Sequence, residues 1–132
     1  MFTGGTMFKC RRGVVAVVDD DPAVLASLKF LLEVLGHEVA TYNSALAFLD
    51  AQAGSPDCLI PACLIIDQHM SRMTGLELVQ KLRETGTTLP TLLITGSLSQ
   101  TIKYRAIELG VEAVLEKPPA EDDLLKFVDA HT

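Results

Sequence analysis

Five polar residues stand where apolar runs end. The run Gly13 to Val18 closes on Asp19 and Asp20, and Ala62 to Ile66 closes on Asp67. Leu92 to Ile94 closes on Thr95, and Ala113 to Glu116 leads into Lys117. Carboxylates brought within reach of one another repel, by about 4 kcal/mol for a pair at ~4 Å and an effective dielectric of ~20. Such a group must hold a proton or bind a cation. Ligands that are all oxygen suit a hard divalent ion, and an incomplete cage with room for waters and a phosphoryl group suits Mg²⁺. Asp67 is then a carboxylate nucleophile, Lys117 a mobile point charge for a phosphoryl oxygen, and the Thr95 hydroxyl a donor for another. The chemistry these types spell is phosphoryl transfer to a carboxylate, giving an acyl phosphate.

That chemistry requires a fold that brings four strand ends to one rim. Asp21 suits a helix N-cap and Pro22 the first helical position. The helix that follows carries Val24, Leu28, Leu31 and Leu35 on one stripe, with Leu25 and Leu32 widening it, until Gly36. Glu38 to Tyr42 reads as a short strand. Ser44 can cap a helix bearing Ala45, Phe48 and Leu49. Thr74 and Glu77 have capping-box spacing before a helix that turns Leu78, Val79 and Leu82 inward. A fourth helix from about Ser99 buries Ile102, Ala106 and Leu109, leaving Tyr104 on its far side. A fifth begins near Pro119, with Glu121 to Asp123 in its first turn, and buries Leu124, Leu125 and Val128.

The pattern is βα repeated five times, which predicts a parallel sheet between two layers of helices. Strands one, three and four are continuously apolar and belong inside; strands two and five carry Glu38 and Glu116 and belong at the edges. Right-handed crossovers then favour the order 2-1-3-4-5, a flavodoxin-like (βα)5 three-layer sandwich whose switch point lies between strands one and three.

The chain has 132 residues and a net charge of −6, a length that suits one domain and a charge that speaks against general attraction to nucleic acid or anionic lipid. Residues 1–12 read as a flexible leader and 13–132 as the domain. No apolar run approaches the roughly 18 residues of a membrane span. Cys10, Cys58 and Cys63 form no CxxC pair and suit free thiols in a reducing compartment.

With these residues in place, the sequence resembles the receiver domain of bacterial two-component response regulators, closest to the FixJ-like type. The resemblance rests on Val17-Val18-Asp19-Asp20-Asp21-Pro22, Ile65-Ile66-Asp67 followed by Met70 and Gly75, Ile94-Thr95-Gly96, and Glu116-Lys117-Pro118. It implies that Asp67 takes a phosphoryl group from a histidine kinase or phosphotransfer protein. It implies that Asp20 and Asp67 ligate Mg²⁺ (or Mn²⁺), with Asp19 acting through water and the His69 backbone carbonyl completing the protein ligands. Thr95 and Lys117 would bind the phosphoryl oxygens, and Lys117–Pro118 would be a cis peptide. The resemblance also implies that His69 and Ser97 tune the phosphate's lifetime. The output face would be helix four, strand five and helix five, which can also form a homodimer. The setting would be the bacterial cytoplasm, with an output domain or separate effector downstream and no membrane or direct nucleic-acid contact by this chain.

Two departures stand out. Val114 occupies the position where the family has a switching Tyr or Phe, and Ser71 replaces a usual Pro in the loop after Asp67. They support, as an alternative, a pseudo-receiver in which phosphorylation is weak or absent; the complete acid, Thr and Lys set opposes it. A turnover phosphatase would want an Asp two residues after the nucleophile, where this chain has His69, expected as an exposed loop side chain rather than a metal or catalytic imidazole. A flavin module would want bare backbone donors where Asp19 to Asp21 stand. The expectation is a phosphoacceptor signalling domain, not a turnover enzyme, limited to its own phosphorylation and dephosphorylation.

Overall fold

Alternating strands and helices build one sheet. The computed structural model describes residues 11–54 and 59–132. The strands are β1 (Arg11–Val18), β2 (Glu38–Tyr42), β3 (Leu59–Asp67), β4 (Thr91–Thr95) and β5 (Ala113–Glu116). The helices between and after them are α1 (Pro22–Val34), α2 (Ala45–Gly54), α3 (Gly75–Glu84), α4 (Gln100–Glu108) and α5 (Glu121–His131). All strand pairs are parallel and the order is β2-β1-β3-β4-β5. The flavodoxin-like expectation therefore holds, with β1 and β3 adjacent at the switch point.

Burial follows the strand patterns. Val14 to Val18 and Cys63 to Ile66 are at most 1 % exposed, because the helical layers cover both faces of the sheet. Alternation sends Ala16, Val18, Leu64, Ile66 and Leu93 into one core with Phe48, Leu78 and Leu82. Val15, Val17, Cys63, Ile65 and Leu92 enter the other with Leu25, Leu32, Leu124, Phe127 and Val128. Burial pushes the Cys63 thiol up to about 12, so it is a core apolar group rather than a nucleophile. Cys10 and Cys58 lie outside the described residues, as does most of the expected leader.

Local chemistry sets the helix starts. Asp21 accepts from Ala23 N at 2.9 Å with Pro22 in the first turn. Thr74 and Glu77 form the reciprocal capping box, and Ser44 and Ser99 cap α2 and α4. Arg83 of α3 then ties the opposite end of the sheet together. Its guanidinium donates to the carbonyls of Leu109, Thr87 and Leu89, at 2.8, 2.9 and 3.4 Å. On α5, Asp129 meets His37, and His131 meets Glu112.

Three details differ from the sequence reading. β1 already includes Arg11 and Arg12, so the strand begins inside the stretch assigned to the leader. The inward line of α1 is Leu25, Leu28 and Leu32, so the two residues expected to widen the stripe of Val24, Leu28, Leu31 and Leu35 are its most buried members. Leu35 is 50 % exposed, since it is the C-cap residue, beyond the last turn that touches the sheet. On α5, Phe127 joins Leu124 and Val128 inside, while Leu125 is only partly buried, because spacings of three and four residues share one face.

Candidate functional site

The carboxyl ends of β1, β3, β4 and β5 bring the polar residues together. Asp19, Asp20 and Asp67 each offer a carboxylate oxygen, and these oxygens lie within 4.8 Å of one another. Asp19 and Asp67 are buried and Asp20 is exposed, so the trio opens to solvent on one side. Lys117 reaches in from the end of β5, with Nζ 2.9 Å from Asp67 Oδ1. Its approach is off the line of a good hydrogen bond, and the buried Oδ1 has no well-aligned donor. The Lys117–Pro118 peptide is cis, and Lys117 N donates to Thr95 O at 2.8 Å.

The backbone fixes Asp67 at the rim. Asp67 is in register with Ile94, and Gln68 N donates to Ile94 O at 2.8 Å. The buried Gln68 side chain accepts from Leu76 N at 2.9 Å, fastening the loop after Asp67 to the start of α3. Gly75 packs against the Asp67 carbonyl. Ser71 N, which a proline would lack, approaches Asp20 Oδ2 at 3.4 Å.

Charge balance decides what the site can hold. Burial raises the Asp19 carboxyl; the Asp21 N–H opposes it, and the Asp67 charge adds to it. The Asp67 carboxylate raises the Lys117 ammonium, against a smaller effect of burial. Among the described residues, one ammonium faces three carboxylates. The donor set is all oxygen, one side is open, and a buried Asp67 oxygen lacks a good donor. These features fit a hard divalent cation such as Mg²⁺, with Asp19, Asp20 and Asp67 as the residues to hold it.

Asp19 gives a test of this balance. Because its carboxyl is raised, the folded protein releases that proton at a higher pH than the unfolded chain does. Stability from this group therefore falls as pH rises from the ordinary aspartate range through the raised value, and the penalty is full above it. Asp19→Asn removes that penalty and keeps an oxygen to accept the Asp21 N–H. At pH 7 without metal, its melting temperature is expected to rise. Mg²⁺ affinity, read by calorimetric titration, should fall. An unchanged or lower melting temperature would contradict the charge balance described here.

Thr95 is fully buried at the end of β4. Its Oγ1 lies 3.0 Å from His69 Nε2, 3.2 Å from Ser97 N and 3.3 Å from Ser97 O. His69 is exposed, as expected of a loop side chain, but it is not idle. Its contact with Thr95, and the anchoring role of Gln68, were missed from sequence. The signal for the first was the adjacency of β3 and β4, which sets the residues just past Asp67 beside Thr95. Val114 is half-buried in β5 and packs on the core that contains Phe48 and Leu93. Tyr104 is 65 % exposed on α4.

Comparison with known proteins points to one family. The family model described as the response regulator receiver domain matches residues 15–129. The response regulator protein TmoT of Ectopseudomonas mendocina is 37 % identical over 115 residues, covering 87 % of this chain and 50 % of TmoT. The transcriptional regulatory protein FixJ of Azorhizobium caulinodans is 41 % identical over 104 residues, covering 79 % of this chain and 47 % of FixJ. The chain thus spans about half the length of these relatives. The crystal structure of FixJ-N superposes with a TM-score of 0.76 at 30 % identity, covering 88 % of this chain and 90 % of that one. By fold, by the placement of its acidic, hydroxyl and lysine residues, and by this match, the chain belongs to the response regulator receiver domain family.

Proposed function

We infer that this chain is a phosphoacceptor in two-component signalling, with Asp67 as the site of phosphorylation. One observation carries the reading: Asp19, Asp20, Asp67 and Lys117 converge on one rim, beside the buried Thr95 hydroxyl. An oxygen of Asp67 attacks phosphorus and forms the new P–O bond. The P–N bond of a donor phosphohistidine breaks, and its electron pair leaves with the imidazole nitrogen. Lys117 and Thr95 take the phosphoryl oxygens. A divalent cation held by Asp19, Asp20, Asp67 and the His69 carbonyl would supply the neutralising charge. His69 and Ser97, which both contact Thr95, would shape the access of water to the acyl phosphate and so tune its lifetime.

The partners follow from the surface. An open cleft of about 760 Å³ runs from Asp19 and Lys117 between α1 and α5, lined by Val24, Leu28, Leu31 and Leu124. It suits a histidine kinase or phosphotransfer protein that presents its phosphohistidine at the charged end. Tyr104 and Ile107 are exposed on α4, at 65 % and 73 %, and support output or homodimer contacts through α4, β5 and α5. Relatives with names such as transcriptional regulatory protein are about twice as long, so an output domain or a separate effector completes the pathway. No helix among the described residues is long and apolar enough to cross a membrane, and a cytoplasmic signalling role fits that. Val114 and Ser71 are the departures that speak for an interaction module without phosphorylation, and the complete set of Asp19, Asp20, Asp67, Thr95 and Lys117 on one rim outweighs them.

The test is direct. Incubated with Mg²⁺ and acetyl phosphate, the wild-type protein should gain one phosphoryl group by intact mass, and chelation of the metal should prevent it. No adduct, together with no Mg²⁺ binding, would overturn the reading.

A further inference from the structure

The hydroxyl needed for a phosphoryl oxygen is already engaged. Thr95 Oγ1 has one proton to donate and two lone pairs to accept with. Its surroundings offer the Ser97 N–H, the Ser97 carbonyl and His69 Nε2, the last of these closest at 3.0 Å. The Ser97 contacts are local and travel with the loop after β4. The His69 contact is different: it joins the ends of two strands, β3 and β4. If Thr95 turns toward a phosphoryl group on Asp67, this is the bond that must break.

The neighbours of His69 make its ring the movable part. Gln68 before it is pinned through both backbone and side chain, and Met70 after it is buried. His69 as a residue is exposed, so its imidazole can leave Thr95 without disturbing the core. Val114, on the strand beside Thr95, has no polar atom with which to sense the hydroxyl.

We propose that His69 is a positioning residue for Thr95, a latch that holds the hydroxyl in the resting domain and swings free when Thr95 engages phosphorylated Asp67. The released ring then carries the change to the surface, a task Val114 cannot perform. This rests on the phosphoacceptor reading above.

Histidine ring nitrogens of the ¹⁵N-labelled full chain report on it. In the unphosphorylated protein, Thr95→Val should shift the His69 ring signals and leave those of His37 and His131 in place; Thr95→Ser, which keeps a hydroxyl, should shift them less. Phosphorylation of the wild type should move the same signals. In kinetics with acetyl phosphate, His69→Ala should form the adduct roughly two- to tenfold faster, the change that loss of one net hydrogen bond gives. His69→Gln, whose amide can still bond a hydroxyl, should return the rate toward wild type. His69 signals indifferent to Thr95→Val, or a His69→Ala rate equal to or below wild type, overturn the latch. Absence of any adduct in the wild type is a failure of the phosphoacceptor reading instead. The Thr95→Val comparison in unphosphorylated protein judges the latch on its own.

Discussion

Asp67→Asn is expected to abolish the phosphoryl adduct while leaving a folded domain. The amide oxygen of asparagine is a poor nucleophile, and nothing nearby is placed to take over. Asp19 is buried and protonates more readily than an ordinary aspartate, and Asp20 sits on the exposed side of the trio. Adduct formation should drop by at least about a thousandfold, as for removal of a nucleophile from a cooperating set. Asn is chosen over Ala because the Asp67 side chain is only 3 % exposed and its volume is needed. The fold should tolerate the change, since the lost Lys117 pair is offset by relief of repulsion from Asp19 and Asp20. Lys117 supplies a second signature. Asp67 is the main reason its ammonium is raised, so the pair's stabilisation is fully present below the ordinary lysine range and is lost as pH climbs through the raised value. In Asp67→Asn that alkaline-side contribution should shrink to what Asp19 and Asp20 still supply. Intact mass, peptide mapping and melting curves against pH measure all three effects. An adduct that persists on another carboxylate would refute the assignment.

Much of this site is legible in the amino-acid sequence itself. Apolar runs that end in single polar residues encode both the strand and the place where its cargo is delivered. That is why Asp19, Asp67, Thr95 and Lys117 were legible, as were the caps at Asp21, Ser44, Thr74 and Ser99. The unequal polarity of the strands sufficed to put β2 and β5 at the edges. What escaped were contacts between segments that no periodicity links. His69 and Thr95 are 26 residues apart, and only the pairing of β3 with β4 makes them neighbours. Gln68 follows the apolar run as a lone polar residue, yet its side chain is buried on the α3 amide of Leu76. The phase of α1 was misjudged because its leucines and valines are spread around the helix. Phe30 and Val34 are 71 % and 65 % exposed, so hydrophobicity alone did not mark the inward face.

Gly75→Ala should injure both the fold and the site, against the usual trend for glycines in helices. In an open helical position, the change would gain up to about 1 kcal/mol from propensity. Here a Cβ would lie 2.8 Å from the Asp67 carbonyl oxygen, 2.8 Å from Leu93 Cδ1 and 3.1 Å from Gln68 Cα. Two of those atoms are backbone, and Leu93 is fully buried, so little can give without moving the end of β3 or the start of α3. Overpacking of this kind costs about 1–3 kcal/mol and should outweigh the propensity gain. The strain falls on the peptide that carries Asp67 and on Gln68, whose bonds to Ile94 and Leu76 hold the loop. A lower denaturant midpoint at unchanged slope is therefore expected, together with an adduct that forms roughly tenfold more slowly, the effect of about 1.4 kcal/mol on a barrier. A midpoint equal to wild type or higher would show that α3 can shift away freely, and the close packing of Gly75 on Asp67 would then have no part in aiming the carboxylate.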